Sequence, residues 1–113
     1  MEWNGYKKEL VEKAKHYIDL HYEKNITLKS LNKVLQKNPY YIQRSFKEVL
    51  GLTPLRYLHQ VRINKSKELL KKHTYSITTI GLEVGYNDSA HFSTKFKEQE
   101  GITPKEFRKQ ILK

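Results

Sequence analysis

Phe46-Lys47-Glu48-Val49-Leu50-Gly51-Leu52-Thr53-Pro54 returns fifty residues later as Phe96-Lys97-Glu98-Gln99-Glu100-Gly101-Ile102-Thr103-Pro104, with six of nine positions identical. Each stretch reads as a helix end followed by a helix start. Glycine accepts the left-handed backbone that closes a helix, threonine can cap the next one, and proline suits its first position. Upstream, Leu28, Leu31 and Leu35 match Ile77, Ile80 and Val84 at an offset of 49, so the second copy gains one residue in its turn. Each copy is a short helix, a tight turn, a longer helix and a Gly-x-Thr-Pro stop-and-restart. Two copies of so long a period are not a solenoid.

No stretch alternates apolar and polar residues over strand length, and helical spacing recurs instead. Val11, Ala14, Ile18 and Tyr22 predict a first helix over about residues 6–23, stopped by Asn25. Thr27 caps a second helix with Leu28, Leu31 and Leu35 inward, and Gln36-Lys37 forms its turn. Asn38-Pro39 opens a third, buried through Ile42, Phe46 and Val49. Thr53-Pro54 opens a longer helix to about Lys72, buried through Leu55, Leu58, Ile63, Leu69 and Leu70. Ser76 caps a fifth with Ile77, Ile80 and Val84 inward, closed by Gly85. Asp88 caps a sixth carrying Phe92 and Phe96, and Thr103-Pro104 opens a seventh carrying Phe107 and Ile111. The expected fold is all-α: seven helices, with helix-turn-helix subdomains over 6–53 (about 28–50) and 73–112 (about 77–100) joined by a long central helix, 54–72.

The chain has 113 residues and a formal net charge of +10. Residues 54–72 contribute half of it, six basic side chains against Glu68 alone. Such a balance points to an anionic partner, nucleic acid first. The absence of cysteine excludes a disulfide framework, a thiolate zinc site and a Cys nucleophile. No apolar run approaches the ~18 residues of a membrane span, and Met1–Lys15 has no signal-peptide core, so a cytoplasmic setting is expected. His16 and His21 miss the i, i+4 spacing of a helical ligand pair, and His59 and His73 are isolated, so no metal and no cofactor are expected. The acids are scattered and no glycine-rich phosphate loop exists, which argues against an enzyme. A helical protein-interaction module is the alternative, and it differs from a DNA binder in salt dependence.

In a helix-turn-helix the second helix enters the major groove, N-terminal residues toward base edges. The matching positions are Tyr40, Tyr41, Gln43, Arg44 and Lys47 in the first copy, and Ser89, Ala90, His91, Ser93, Thr94 and Lys95 in the second. Gln and Arg suit forked contacts to adenine and guanine. Arg62 is expected to be structural, bonding across the two subdomains.

Ile77-x-x-Ile80-Gly81-x-x-Val84-Gly85-Tyr86, then His91-Phe92-x-x-x-Phe96-Lys97 and Gly101-x-Thr103-Pro104-x-x-Phe107-Arg108, resembles the signature of the AraC/XylS transcription regulators. Pro39-Tyr40-Tyr41-Ile42-Gln43-Arg44-x-Phe46-Lys47 is similar to that family's first helix-turn-helix, and Arg62-Ile63 with Leu69-Leu70 to its connecting helix. The resemblance covers about residues 8–110. It implies a bacterial, nucleoid-associated regulator of promoter or operator DNA that inserts both recognition helices into successive major grooves along one DNA face, with RNA polymerase as a second partner. It implies base reading by Tyr40, Gln43 and Arg44, and by Ser89, Ala90, His91, Ser93 and Thr94. A complete chain of this kind would act as a monomer on DNA; a part of a longer regulator would carry an effector or dimerisation domain. Glu2-Trp3 and the first helix also resemble the DNA-binding half of Ada-type regulators. Asn32, Gln36 with Lys37, and Gly81 depart from the family pattern, and the first two predict a looser first subdomain.

With about six to eight phosphate contacts, the log–log dependence of duplex affinity on salt should have a slope of roughly −5 to −7. A titration giving a slope shallower than about −2 would favour the protein-interaction module.

Overall fold

Helix starts in this chain coincide with short polar side chains that accept an otherwise orphaned amide. Thr27 Oγ1 accepts from Ser30 N at 3.1 Å, Asn38 Oδ1 from Tyr40 N at 2.8 Å, and Thr53 Oγ1 from Arg56 N at 3.2 Å. Ser76 Oγ accepts from Thr79 N at 3.0 Å, Asp88 Oδ1 from His91 N at 2.7 Å, and Thr103 Oγ1 from Glu106 N at 3.1 Å. In the computed structural model, which describes the backbone of residues 2–112 and the side chains of residues 5–112, these caps precede six of seven helices. The Glu2-Trp3 side chains singled out in the sequence lie outside the described ones. The helices are α1 (Glu2–His21), α2 (Leu28–Leu35), α3 (Pro39–Leu50), α4 (Pro54–Leu70), α5 (Ile77–Glu83), α6 (Ser89–Glu100) and α7 (Pro104–Ile111), with no strand among the described residues.

The repeat is visible in the helix ends. Gly51 and Gly101 are left-handed, at φ 82° and 84°, and their amides bond the Lys47 and Lys97 carbonyls at the same 2.8 Å. Three boundaries differ from expectation. No proline interrupts positions 2–6, and α1 begins four residues early, running through Asn4 and Gly5; it ends at His21, whose carbonyl accepts from Lys24 N at 2.9 Å, ahead of Asn25. Helix α4 ends at Leu70, not Lys72, because Arg108 of α7 donates to the Leu70 and Lys72 carbonyls, both at 3.0 Å.

The chain forms two compact units, Met1–Leu58 and His59–Lys113, divided within α4. In the first, Leu10, Val11, Ala14, Ile18, Ile26, Leu31, Ile42 and Phe46 are buried. The Tyr57 ring lies 5.6 Å from that of Phe46, and its hydroxyl donates to Asp19 Oδ1 at 2.6 Å. Leu10 and Ile26 lay outside the predicted stripes, while Leu28, Leu35, Val49 and Tyr22 are only half-buried. Leu55 is exposed, since Pro54 takes the inward position of that turn and Leu55 points ~100° away.

In the second unit Ile63, Leu70, Ile80, Val84, Tyr86, Phe92 and Phe96 are buried. An aromatic row runs Tyr86–Phe92–Phe96–Phe107 with centroids 5.8, 5.9 and 5.4 Å apart. Leu69, Ile77 and Phe107 are half-buried, and Ile111 is exposed because the last turn of α7 outruns this row. A Cβ on Gly81 would stand 3.0 Å from Phe92 Cβ, so glycine lets α5 lie close to α6.

The first turn is not loosened by its unusual residues. Gln36 adopts φ 56°, ψ 40°, and its amide bonds Asn32 O at 2.7 Å. Asn32 Nδ2 donates to the Lys37 carbonyl at 2.6 Å, and Lys37 Nζ lies 5.3 Å from the centre of the Tyr6 ring. Asn32, Gln36 and Lys37 together form one mutually bonded turn.

Gly85, at φ 116°, has the Arg62 Nε 2.7 Å from where a Cβ would stand, whereas Gly51 has open space. Gly51→Ala should therefore cost about 1–2 kcal/mol, the left-handed penalty alone, and Gly85→Ala distinctly more. Urea denaturation of both variants checks the order.

Candidate nucleic-acid interface

Tyr40, Gln43, Arg44 and Lys47 stand at i, i+3, i+4 and i+7 of α3, the spacing that puts side chains on one helix face. They line one open hollow of about 470 Å³, together with Glu48 and Thr53. Tyr40 is 76% exposed, Arg44 and Lys47 are exposed, and Gln43 is half-buried. The Asn38 cap and Pro39 fix where this helix begins, and the face therefore starts within its first turn. Tyr41 is not brought to that face; it is half-buried, one position round the helix. Glu48 was not foreseen. Its carboxylate accepts from Lys7 Nζ of α1 at 2.5 Å, a partner 41 residues away that no local pattern announces.

Applying the fifty-residue offset to this face gives Ala90, Ser93, Thr94 and Lys97 on α6. Ala90, Thr94 and Lys97 are exposed and Ser93 is half-buried. Lys97 was missed in the sequence reading, although the repeat itself points to it as the counterpart of Lys47. Ser89 is half-buried at the first position of α6, and His91 and Lys95 share the neighbouring face at i and i+4. Lys95 Nζ is 3.4 Å from Glu98 Oε1.

His91 meets an aromatic cluster. Its ring packs edge-on to Tyr86 at 5.1 Å and to His59 at 6.2 Å. His59 and Tyr86 stack at 5.6 Å with an interplanar angle of 12°, and His59 Nδ1 shares a 2.7 Å hydrogen bond with the Tyr86 hydroxyl. Burial, then the charges of Lys95, Arg62 and His91, pushes the His59 imidazole down to about 4. Burial pushes the Tyr86 phenol up to about 12 against the opposing pull of Arg62. Arg62 itself is 6% exposed, its guanidinium carbon 5.1 Å from the centre of the Tyr86 ring. Within its own unit it is a packing residue that holds the Gly85-Tyr86 corner.

A helix-turn-helix domain family matches residues 31–110. The HTH-type transcriptional regulator YisR of Bacillus subtilis is 36% identical over 105 residues, 93% of this chain and 37% of the relative. The bifunctional transcriptional activator/DNA repair enzyme AdaA of the same species is 35% identical over 88% of this chain and 47% of the relative. A solved AraC-type transcriptional regulator from Chromobacterium violaceum superposes with a TM-score of 0.82 at 26% identity, covering 94% of this chain and 95% of that one. The chain belongs to the AraC/XylS family. Its two helix-turn-helix units are those of an AraC-type DNA-binding domain. The chain spans under half the length of these curated AraC/XylS relatives. Among the described residues no helix is long and apolar enough to cross a membrane, and no group of three or more His, Asp or Glu could hold a metal ion.

The lowered His59 value carries a pH signature. Between its ordinary value of ~6.5 and about 4, the unfolded chain binds a proton at His59 that the folded chain does not. Stability linked to His59 is thus present above ~6.5 and is lost as pH falls through that window. The drop in Tm from about pH 7 to about pH 5 should be smaller in His59→Asn than in the unsubstituted protein.

Proposed function

We propose that this chain reads a specific duplex site with α3 and α6 as its recognition helices and regulates transcription from it. The observation that carries the reading is the shared phase of the two exposed faces, 40/43/44/47 and 90/93/94/97, set behind matching caps and ahead of matching glycine stops. A scaffold that repeats its geometry while exchanging Tyr/Gln/Arg for Ala/Ser/Thr suits two unlike boxes of an asymmetric site, read in successive major grooves. Arg44 and Gln43 supply forked contacts to base edges, and Tyr40 an aromatic surface beside them. Lys47 and Lys97, in the third turn of each helix, and Lys95 supply phosphate contacts. Ser89, Ala90, His91, Ser93 and Thr94 form the second reader, with Tyr41 flanking the first.

The reading assigns binding and no catalysis. It places the protein in the bacterial cytoplasm, on nucleoid DNA, with RNA polymerase as the further partner through which occupancy changes transcription. One chain carries both readers, so one molecule suffices for a site; were the chain part of a longer regulator, an effector or dimerisation domain would lie outside it.

Selection from random duplexes gives the preferred site. On it, Arg44→Ala should cost ~1–3 kcal/mol and relax preference at one or two base pairs, whereas Lys47→Ala should weaken all sequences alike. Unchanged preference in Arg44→Ala would remove α3 from the reading.

A further inference from the structure

We infer that Tyr86 and His59 are positioning residues for His91, forming a fixed aromatic platform that sets the direction of its ring at the DNA-facing helix. The inference rests on the assignment of α6 as a recognition helix and goes beyond it, since neither Tyr86 nor His59 lies on α6.

His91 is the third residue of α6, and its backbone amide is held by the Asp88 carboxylate at 2.7 Å. Its ring is exposed, and an exposed imidazole at a helix surface ordinarily samples several rotamers. Here the ring edge meets Tyr86 at 5.1 Å and 73°, and His59 at 6.2 Å and 62°, the edge-to-face geometry that aromatic pairs prefer. The platform is itself held by packing and a hydrogen bond. Tyr86 is 2% exposed, packs on Phe92 at 5.8 Å, lies 5.1 Å from the Arg62 guanidinium, and shares its hydroxyl with His59 Nδ1. His59 stays uncharged at neutral pH, so the stacked pair keeps its hydrogen bond and adds no positive charge beside His91. Lys95 at i+4, Arg62 and the His59 ring are the polar neighbours of this spot on α6 and α4, and Glu98 lies beyond Lys95. A side chain ordered before binding loses less freedom when it meets DNA.

The first measurement is side-chain order of His91 by NMR relaxation and ring shifts in the full chain without DNA. His59→Leu and Tyr86→Phe should release the His91 ring into rotamer averaging, and His59→Asn, whose amide can still bond the Tyr86 hydroxyl, should restore order. The second is a double-mutant cycle on the selected duplex. His91→Ala should weaken binding about threefold to tenfold, on the scale of one hydrogen bond. His59→Leu should give a loss of similar or smaller size, and the His59→Leu/His91→Ala pair should lose no more than His91→Ala alone. Additive losses, or a His91 ring equally ordered in His59→Leu and Tyr86→Phe, would overturn the inference. If His91→Ala binds DNA normally, the assignment of His91 as a DNA contact fails instead, and the NMR comparison alone decides whether the platform positions the ring. Tm values of each variant separate these outcomes from misfolding, with Tyr86→Phe the mildest change.

Discussion

Everything in this chain is set out from a backbone event that occurs twice: a glycine turns left-handed, its amide bonds the carbonyl four residues back, and two residues later a threonine hydroxyl receives the next helix. Gly51 with Thr53 and Gly101 with Thr103 perform it with nearly identical φ and equal glycine amide bonds, and with threonine caps of 3.2 and 3.1 Å. Because Asn38 and Asp88 fix the opposite ends, α3 and α6 both have twelve residues. Helix length and phase decide which side chains face outward, so the capping chemistry determines the composition of each exposed face.

Polar groups in the interior serve the same end. Arg62 is buried against Tyr86 and Gly85, where only a residue without a side chain leaves room for the guanidinium. Arg108 closes the end of α4 by bonding the carbonyl of its last residue, Leu70, and that of Lys72 just beyond it. A buried charge of this kind is tolerable only with partners, and here it organises a corner that an apolar residue of similar size could fill but not bond. The raised Tyr86 phenol and the lowered His59 imidazole follow from the same burial.

The elements that depend on neighbours in sequence were legible from the sequence: the six caps, the glycine stops of α3 and α6 and, apart from the inclusion of Tyr41, the 40/43/44/47 face. Features that depend on distant neighbours were not. Leu55 and Leu58 look equally apolar, yet only Leu58 is buried, because Pro54 occupies the inward slot of the first turn. Lys7 and Glu48, or His59 and Tyr86, carry no mutual signal in a single sequence. Asn32, Gln36 and Lys37 read one by one as weak points, and only together, through the Asn32–Lys37 bond, do they make a sound turn. Lys97 was legible only through the repeat, as the counterpart of Lys47, because it stands in the third turn of α6, beyond the N-terminal residues that a helix-turn-helix turns toward bases.

The paired twelve-residue helices have a consequence for engineering and descent. Since cap, length and stop are held in common while the outward residues differ, the outward residues form an exchangeable cassette. Moving Tyr, Gln and Arg onto positions 90, 93 and 94, with Lys97 already in place, would leave Phe92 and Phe96 beneath them, and would turn the proposed asymmetric site into a direct repeat. Duplication of one ancestral half, followed by drift confined to such cassettes, would produce a chain with this arithmetic.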